Sequence, residues 1–171
     1  MNFSGIKNYD VANGEGVRLT LFVSGCRNRC KGCFQPETWD FNYGYEFSPS
    51  IQQEIIDMLG SPYIDGLTIL GGEPFEPENE AALLPFIQRV RETYPNKTIW
   101  MYSGYLFSQI RYLPTGREIL KLIDVLVDGR FEQDLASPDL KFRGSSNQRI
   151  IDVQKTLEKE KIVIYEGKFH D

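Results

Sequence analysis

A chain of 171 residues, 41% of them apolar, has enough material to bury one core but not two, and reads as a single domain over residues 1–171. Its net charge of −5 argues against general nucleic-acid binding, which calls for a basic excess or stripe. The N-terminal MNFSGIKNYDVANGEG lacks a basic region followed by an apolar run, and no stretch reaches the ~18 apolar residues that span a bilayer, so a cytoplasmic location without membrane contact is expected.

Strand and helix signals alternate along the chain. Residues 17–24 (VRLTLFVS) are β-branched and aromatic between Gly16 and Gly25, which predicts a buried strand running directly into the cysteines. Ser48 and Pro49 form an N-cap and first helical position, and Ile51, Ile55, Met58 and Leu59 then share one face up to Gly60. Residues 67–70 predict a second strand, stopped by Gly71-Gly72-Glu73-Pro74. Leu83, Phe86, Ile87, Val90 and Tyr94 mark a second helix, with Pro85 either kinking it or marking its start. Residues 98–102 predict a third strand, 119–123 part of a further helix, and 125–127 a fourth strand ending at Asp128-Gly129.

Such alternation implies parallel strands with right-handed crossovers. Residues 130–148 have no periodicity, and an ordered loop of that length is more often functional than idle. Residues 149–153 and 161–165 are left to supply the last strands. A closed β/α barrel usually takes about 250 residues, so the expected fold is α/β, a partial β/α barrel open on one side. Loops after the strand C-termini carry the chemistry in such folds, and here they hold the cysteines, the Gly-Gly-Glu-Pro turn, Ser103-Gly104 and Asp128-Gly129.

Cys26, Cys30 and Cys33 are the only cysteines, and an odd number excludes a closed set of intrachain disulfides. Their crowding points to a metal instead. The spacing C-x3-C-x2-C offers three thiolates to three corners of a cubane cluster. A structural cluster or zinc site is normally closed by four protein ligands, and the lone histidine, His170, is far along the chain. An incomplete ligand set suggests an open metal position. Three free buried cysteines and a three-cysteine zinc site are the alternatives on the residues alone.

With the aromatic residue that follows it, CRNRCKGCF resembles the signature of the radical S-adenosylmethionine superfamily. The wider NGEGVRLTLFVSGCRNRCKGCFQPETWD, with LGGEPF, VLVDGRFEQDL and FRGSSNQR, resembles the activating proteins of anaerobic ribonucleoside-triphosphate reductase over residues 13–149. The resemblance implies an open barrel of the radical S-adenosylmethionine type, with a 4Fe–4S cluster on Cys26, Cys30 and Cys33 whose free iron chelates S-adenosylmethionine. One electron then releases methionine and a 5′-deoxyadenosyl radical, which takes hydrogen from a glycine on the large reductase subunit. Cluster and cofactor carry that chemistry, so no side chain is assigned a catalytic role. A flavodoxin- or ferredoxin-like donor is the implied electron source.

The same resemblance places Gly71, Gly72 and Glu73 at the methionine end of the cofactor, where glycines allow close backbone approach. Glu73 either contacts the ammonium group or fixes the turn. Gly32, Cys33 and Phe34 resemble the segment that runs past the adenine, with Phe34 an alternative apolar cover for the cluster. Ser103 and Asp128 lie at strand ends on the functional face, and Ser145 and Asn147 belong to a polar run, residues 142–148, suited either to ribose and carboxylate contacts or to a turn. Arg27, Arg29 and Lys31 put positive charge on the cysteine loop, open either to an acidic redox partner or simply to solvent. Trp39 and Trp100 are assigned to packing. Rival readings are an activase of another glycyl radical enzyme, of the pyruvate formate-lyase type, a small radical enzyme acting on a free metabolite, and a non-catalytic iron–sulfur or zinc binding module.

Overall fold

The computed structural model describes residues 1–168. Its frame is a sheet of seven strands: β1 (Asn2–Asp10), β2 (Arg18–Val23), β3 (Tyr45–Glu46), β4 (Gly66–Gly71), β5 (Thr98–Tyr102), β6 (Val125–Asp128) and β7 (Arg149–Asp152), in the order β3-β1-β2-β4-β5-β6-β7. The helices are α1 (Pro49–Leu59), α2 (Pro77–Thr93), α3 (Phe107–Ile110), α4 (Pro114–Leu120) and α5 (Val153–Lys159). Among the described residues, no helix is long and apolar enough to cross a membrane.

The strands β2, β4, β5 and β6 are parallel, as their alternation with helices dictates. The edges correct the all-parallel expectation: β1 runs antiparallel to β2, β3 to β1, and β7 to β6. The result is a mixed α/β fold whose sheet ends at β3 and β7 and is not closed into a barrel. Residues 161–165 form no strand of their own and contribute one isolated bridge, Ile151 to Ile164.

Local signals explain the helix boundaries. Ser48 Oγ accepts the Ile51 amide (3.2 Å) and Pro49 occupies the first turn of α1, where its missing N–H costs nothing. In α2, Pro77 makes the start and Pro85 lies inside, on an exposed face where the carbonyl it leaves unpaired can reach water. The helix predicted to include 119–123 runs from Pro114 to Leu120, so only Ile119 and Leu120 of that segment are helical.

The period of two along the strands divides the residues between two faces. Leu19, Leu21, Leu67, Ile69, Ile99 and Met101 join the core against the helices, packing with residues such as Ile55, Leu83 and Phe86. The opposite face carries Trp100, Val125, Val127 and Ile150, with Tyr102, Phe142 and Tyr165 against them. On this second face the fully buried Arg18 staples three strands at their starts. Its Nε donates to Thr68 Oγ1 (2.7 Å), Nη1 to Thr98 Oγ1 and Nη2 to the Leu67 and Thr98 carbonyls (2.9 Å each). The guanidinium lies 5.6 Å from the Trp100 ring centroid. Beyond Arg18, toward the strand C-termini, this face opens into a cleft.

Candidate metal centre and cofactor cleft

The cysteine loop starts where β2 stops. The Ser24 amide is still held by the Asn2 carbonyl and the Gly25 amide by the Thr38 carbonyl, so Cys26 leaves the sheet on a fixed course. All three cysteines are free: Cys26 is buried, Cys30 and Cys33 half-buried. Together they line one cleft of about 710 Å³, whose other walls include Gly71 and Gly72 after β4, Ser103 and Gly104 after β5, and parts of the 131–148 segment. Phe22, Leu70 and Tyr102 give it a mostly apolar floor.

This donor set fits a multi-iron cluster. Among the described residues, no three His, Cys, Asp or Glu side chains are gathered closely enough to hold a single metal ion. The thiols border a shared space and do not converge on a point, which suits one thiolate per iron better than a lone zinc ion. Burial pushes the Cys26 thiol up to about 11, so a metal must displace its proton. The backbone of Asn28 and Arg29 beside that sulfur pulls the other way.

The Gly71-Gly72 turn is a cradle that side chains would fill. Gly71 has φ +116°, and a methyl group on Gly72 would lie 2.6 Å from the Gly25 carbonyl oxygen. The turn therefore packs directly on the cysteine-bearing segment, with the Gly72 amide donating to the Val23 carbonyl and the Glu73 amide to the Gly25 carbonyl, both at 2.8 Å.

Glu73 faces away from the cleft and is fully buried. Its Oε1 accepts from the Gly104 amide (2.7 Å) and Asn28 Nδ2 (3.0 Å), and its Oε2 from Ser103 Oγ (2.8 Å) and the Phe75 amide (2.9 Å). Of the two purposes the sequence left open, this geometry is that of a residue fixing the turn. Burial raises its carboxyl to about 7, against the pull of those four donors.

The other sequence-selected residues divide into two groups. Cys26, Cys30, Cys33, Phe34, Gly71, Gly72 and Ser103 meet around the cleft. Phe34, 79% exposed, packs on Phe131 with ring centroids 5.2 Å apart, so two aromatics flank the cleft. Gly32 lies outside the lining, where a methyl group would strike the Gln133 side chain at 2.8 Å. Asp128 is buried and spent on Arg149 (Nη2, 2.6 Å; Nε, 3.0 Å) and the Phe107 amide (2.8 Å). Ser145 Oγ accepts the Glu132 amide (3.1 Å) and Asn147 Nδ2 donates to the Arg130 carbonyl (2.8 Å); their neighbours Gly144 and Gln148 line the cleft in their place.

The loop's positive charge is smaller than its composition implies. Arg27 pairs with Glu76 and Glu78 and covers the Phe41 ring at 4.4 Å, leaving Arg29 and Lys31 as the loop's exposed cations without a salt bridge among the described residues. Trp100 packs as expected, edge-on to Phe142 and Tyr165. Trp39 departs from the packing assignment: half-buried under Arg29, it lines the cleft and, with Cys26, a second groove. Sequence reasoning passed over Asn28, Glu76, Asn79 and Phe131. Glu76, Asn79 and Phe131 carry no local signal, although Asn28, between the first two cysteines, had position as a clue. His170 lies outside the described residues.

Comparison with known proteins agrees with this donor set. The model of a 4Fe-4S single cluster domain matches residues 12–151. An anaerobic ribonucleoside-triphosphate reductase-activating protein of Pasteurella multocida is 44% identical over 152 residues, covering 88% of this chain and 96% of its own. The proteins of that name from Escherichia coli K12 and Enterobacteria phage T4 are 41% and 39% identical over 150 residues, covering 86% and 88% of this chain and 96% and 93% of their own. The chain belongs to the 4Fe-4S single cluster domain family and, within it, to the anaerobic ribonucleoside-triphosphate reductase-activating proteins.

Proposed function

We propose that this protein is a radical S-adenosylmethionine enzyme that activates anaerobic ribonucleoside-triphosphate reductase by generating a glycyl radical on its large subunit. The observation that carries the reading is the cleft bordered by three free thiols and glycine backbone, with a donor set one short of closing a cluster. When bound, the 4Fe–4S cluster and S-adenosylmethionine supply reductive cleavage to methionine and a 5′-deoxyadenosyl radical that abstracts hydrogen from glycine.

The chain's own residues bind, aim and shield. Cys26, Cys30 and Cys33 hold three irons and leave the fourth open. Gly71 and Gly72 offer bare backbone to the methionine end of the cofactor, and Ser103 lies beside them on the cleft wall. Cys33, Phe34 and Phe131 take the adenine end, with Gly32 turning the loop just before Cys33 at φ +76°. Phe22 and Leu70 keep water from the floor. Glu73, Asp128, Ser145 and Asn147 serve the site from behind by fixing the loops that border it. The open sheet acts as a partial β/α barrel in one radical S-adenosylmethionine unit over residues 1–171, and the partner's glycine loop enters its unclosed side. Arg29 and Lys31 present positive charge to a flavodoxin- or ferredoxin-like donor. The free thiols suit a reducing, cytoplasmic setting.

The test combines the anaerobically loaded and reduced protein, S-adenosylmethionine and the large reductase subunit. A carbon-centred radical signal on that subunit, with one 5′-deoxyadenosine formed per radical, is the expected result. Cleavage of S-adenosylmethionine with no radical on the subunit would assign the chemistry to another substrate.

A further inference from the structure

The cysteine loop is gripped by two carboxylates from the turn after β4, and each grip extends to the loop after β5. Glu76 is buried and holds Arg27 with one oxygen and the Tyr105 hydroxyl (2.6 Å) with the other. Glu73 holds Asn28 Nδ2 (3.0 Å) and, on the same oxygen, the Gly104 amide (2.7 Å). The second junction is the tighter one. A methyl group on Gly104 would lie 2.3 Å from Asn28 Nδ2 and 3.1 Å from its Cγ, so the Asn28 amide occupies the space that a side chain at 104 would fill. On the far side, Asn79 Nδ2 donates to the carbonyls of Glu73 (2.9 Å) and Ser24 (3.0 Å), locking the same turn to the end of β2.

We infer that Asn28 is a positioning residue, pinned between Glu73 and Gly104 so that the loop from Cys26 to Cys30 holds its course before any metal is bound. The chemistry selects this side chain. Its amide donates to a carboxylate, a charge-assisted bond of greater strength than a neutral one, whereas an aspartate at 28 would set charge against charge. The side chain's anchorage also fixes its own backbone. Residue 28 follows Cys26 by two positions on that loop, and the protein surroundings of cluster sulfurs set the reduction potential. Asn28 thus couples the β5 loop, through Glu73, to the first cysteine ligand. This rests on reading the three cysteines as the cluster ligands, and the test separates the two claims.

The experiment is a double-mutant cycle with Asn28→Ala, Gly104→Ala and the combined variant. It reads hydrogen exchange of the 27–33 segment in metal-free protein, and the reduction potential and paramagnetic resonance line shape of the loaded cluster. Each single change should speed exchange about tenfold, the effect of losing one hydrogen bond to a charged group, shift the potential and alter the line shape in the same way. The double variant should match Asn28→Ala alone, because the shortened residue 28 leaves room for the methyl group. Asn28→Asp should exchange faster still. Unchanged exchange in both single variants, effects that multiply in the double, or a potential that does not move would overturn the inference. Failure of the wild-type chain to bind iron would sink the cluster reading while leaving the metal-free exchange comparison intact.

Discussion

Arg27 on the cysteine loop is ion-paired to Glu76, a buried carboxylate at the start of α2 whose other oxygen accepts from Tyr105. The exposed partner in this pair keeps a buried charge neutralised, so the loop and the helix depend on each other. Removing Arg27 strands the carboxylate, and truncating one member of a buried pair is costlier than replacing both. Arg27→Ala should therefore lower the melting temperature, and adding Glu76→Gln should recover most of the loss. A double variant no better than the single would contradict this.

Arg18 supports the opposite end of the sheet. It satisfies acceptors on β4 and, one strand further on, β5, and burial holds its pKa down to about 10. Arg18→Met leaves the Leu67 and Thr98 carbonyls with one fewer donor each and should cost about 3 kcal/mol, read from urea unfolding midpoints. A shift below about 1 kcal/mol would mean that the strands hold their register without it.

How much of this was legible in the sequence depended on where the signal resides. The strands β2, β4, β5 and β6 are buried on both faces, so an apolar run declared them. The strand β1 was not legible: Gly5, Lys7 and Asn8 break its apolar pattern, its register with β2 shifts twice, and pairing with β2 and β3 makes it a strand. Strand direction at β7 likewise follows from tertiary pairing. In the site, spacing gave the cysteines and the Gly-Gly turn. Whether a polar residue at a strand end faces the cleft or the protein is set by its partners, and Glu73 and Asp128, picked by position, turn inward to Asn28 and Arg149.

Gly72 offers a direct test of the cradle. Gly72→Ala would put its methyl group against the Gly25 carbonyl and push the turn off the cysteine segment, so it should retain less iron after anaerobic loading and desalting. Gly5→Ala, where nothing lies within 4 Å of the new atom, is the control and should load like the wild type. Equal iron in both would show that the turn does not shape the centre.

Stability should fall as pH rises through the range between an ordinary carboxylate and neutrality. Glu80 is 7% exposed, its Oε2 has no hydrogen-bond partner among the described residues, and burial raises its carboxyl from 4.5 to about 7. The folded chain then binds the proton more tightly than the unfolded one, and stability is lost as pH climbs from about 4.5 through 7. Glu73 acts with the same sign. Glu80→Gln should therefore flatten the slope without abolishing it and raise the unfolding midpoint at pH 8 above the wild type. An unchanged slope would place the Glu80 proton elsewhere.

The proposed function requires an iron left open for a small molecule. Paramagnetic resonance of the anaerobically loaded, reduced protein, recorded before and after S-adenosylmethionine is added, tests it most directly. About four irons per chain and a signal that shifts on addition are predicted. Stoichiometric zinc, or a cluster whose signal S-adenosylmethionine leaves untouched, would contradict it.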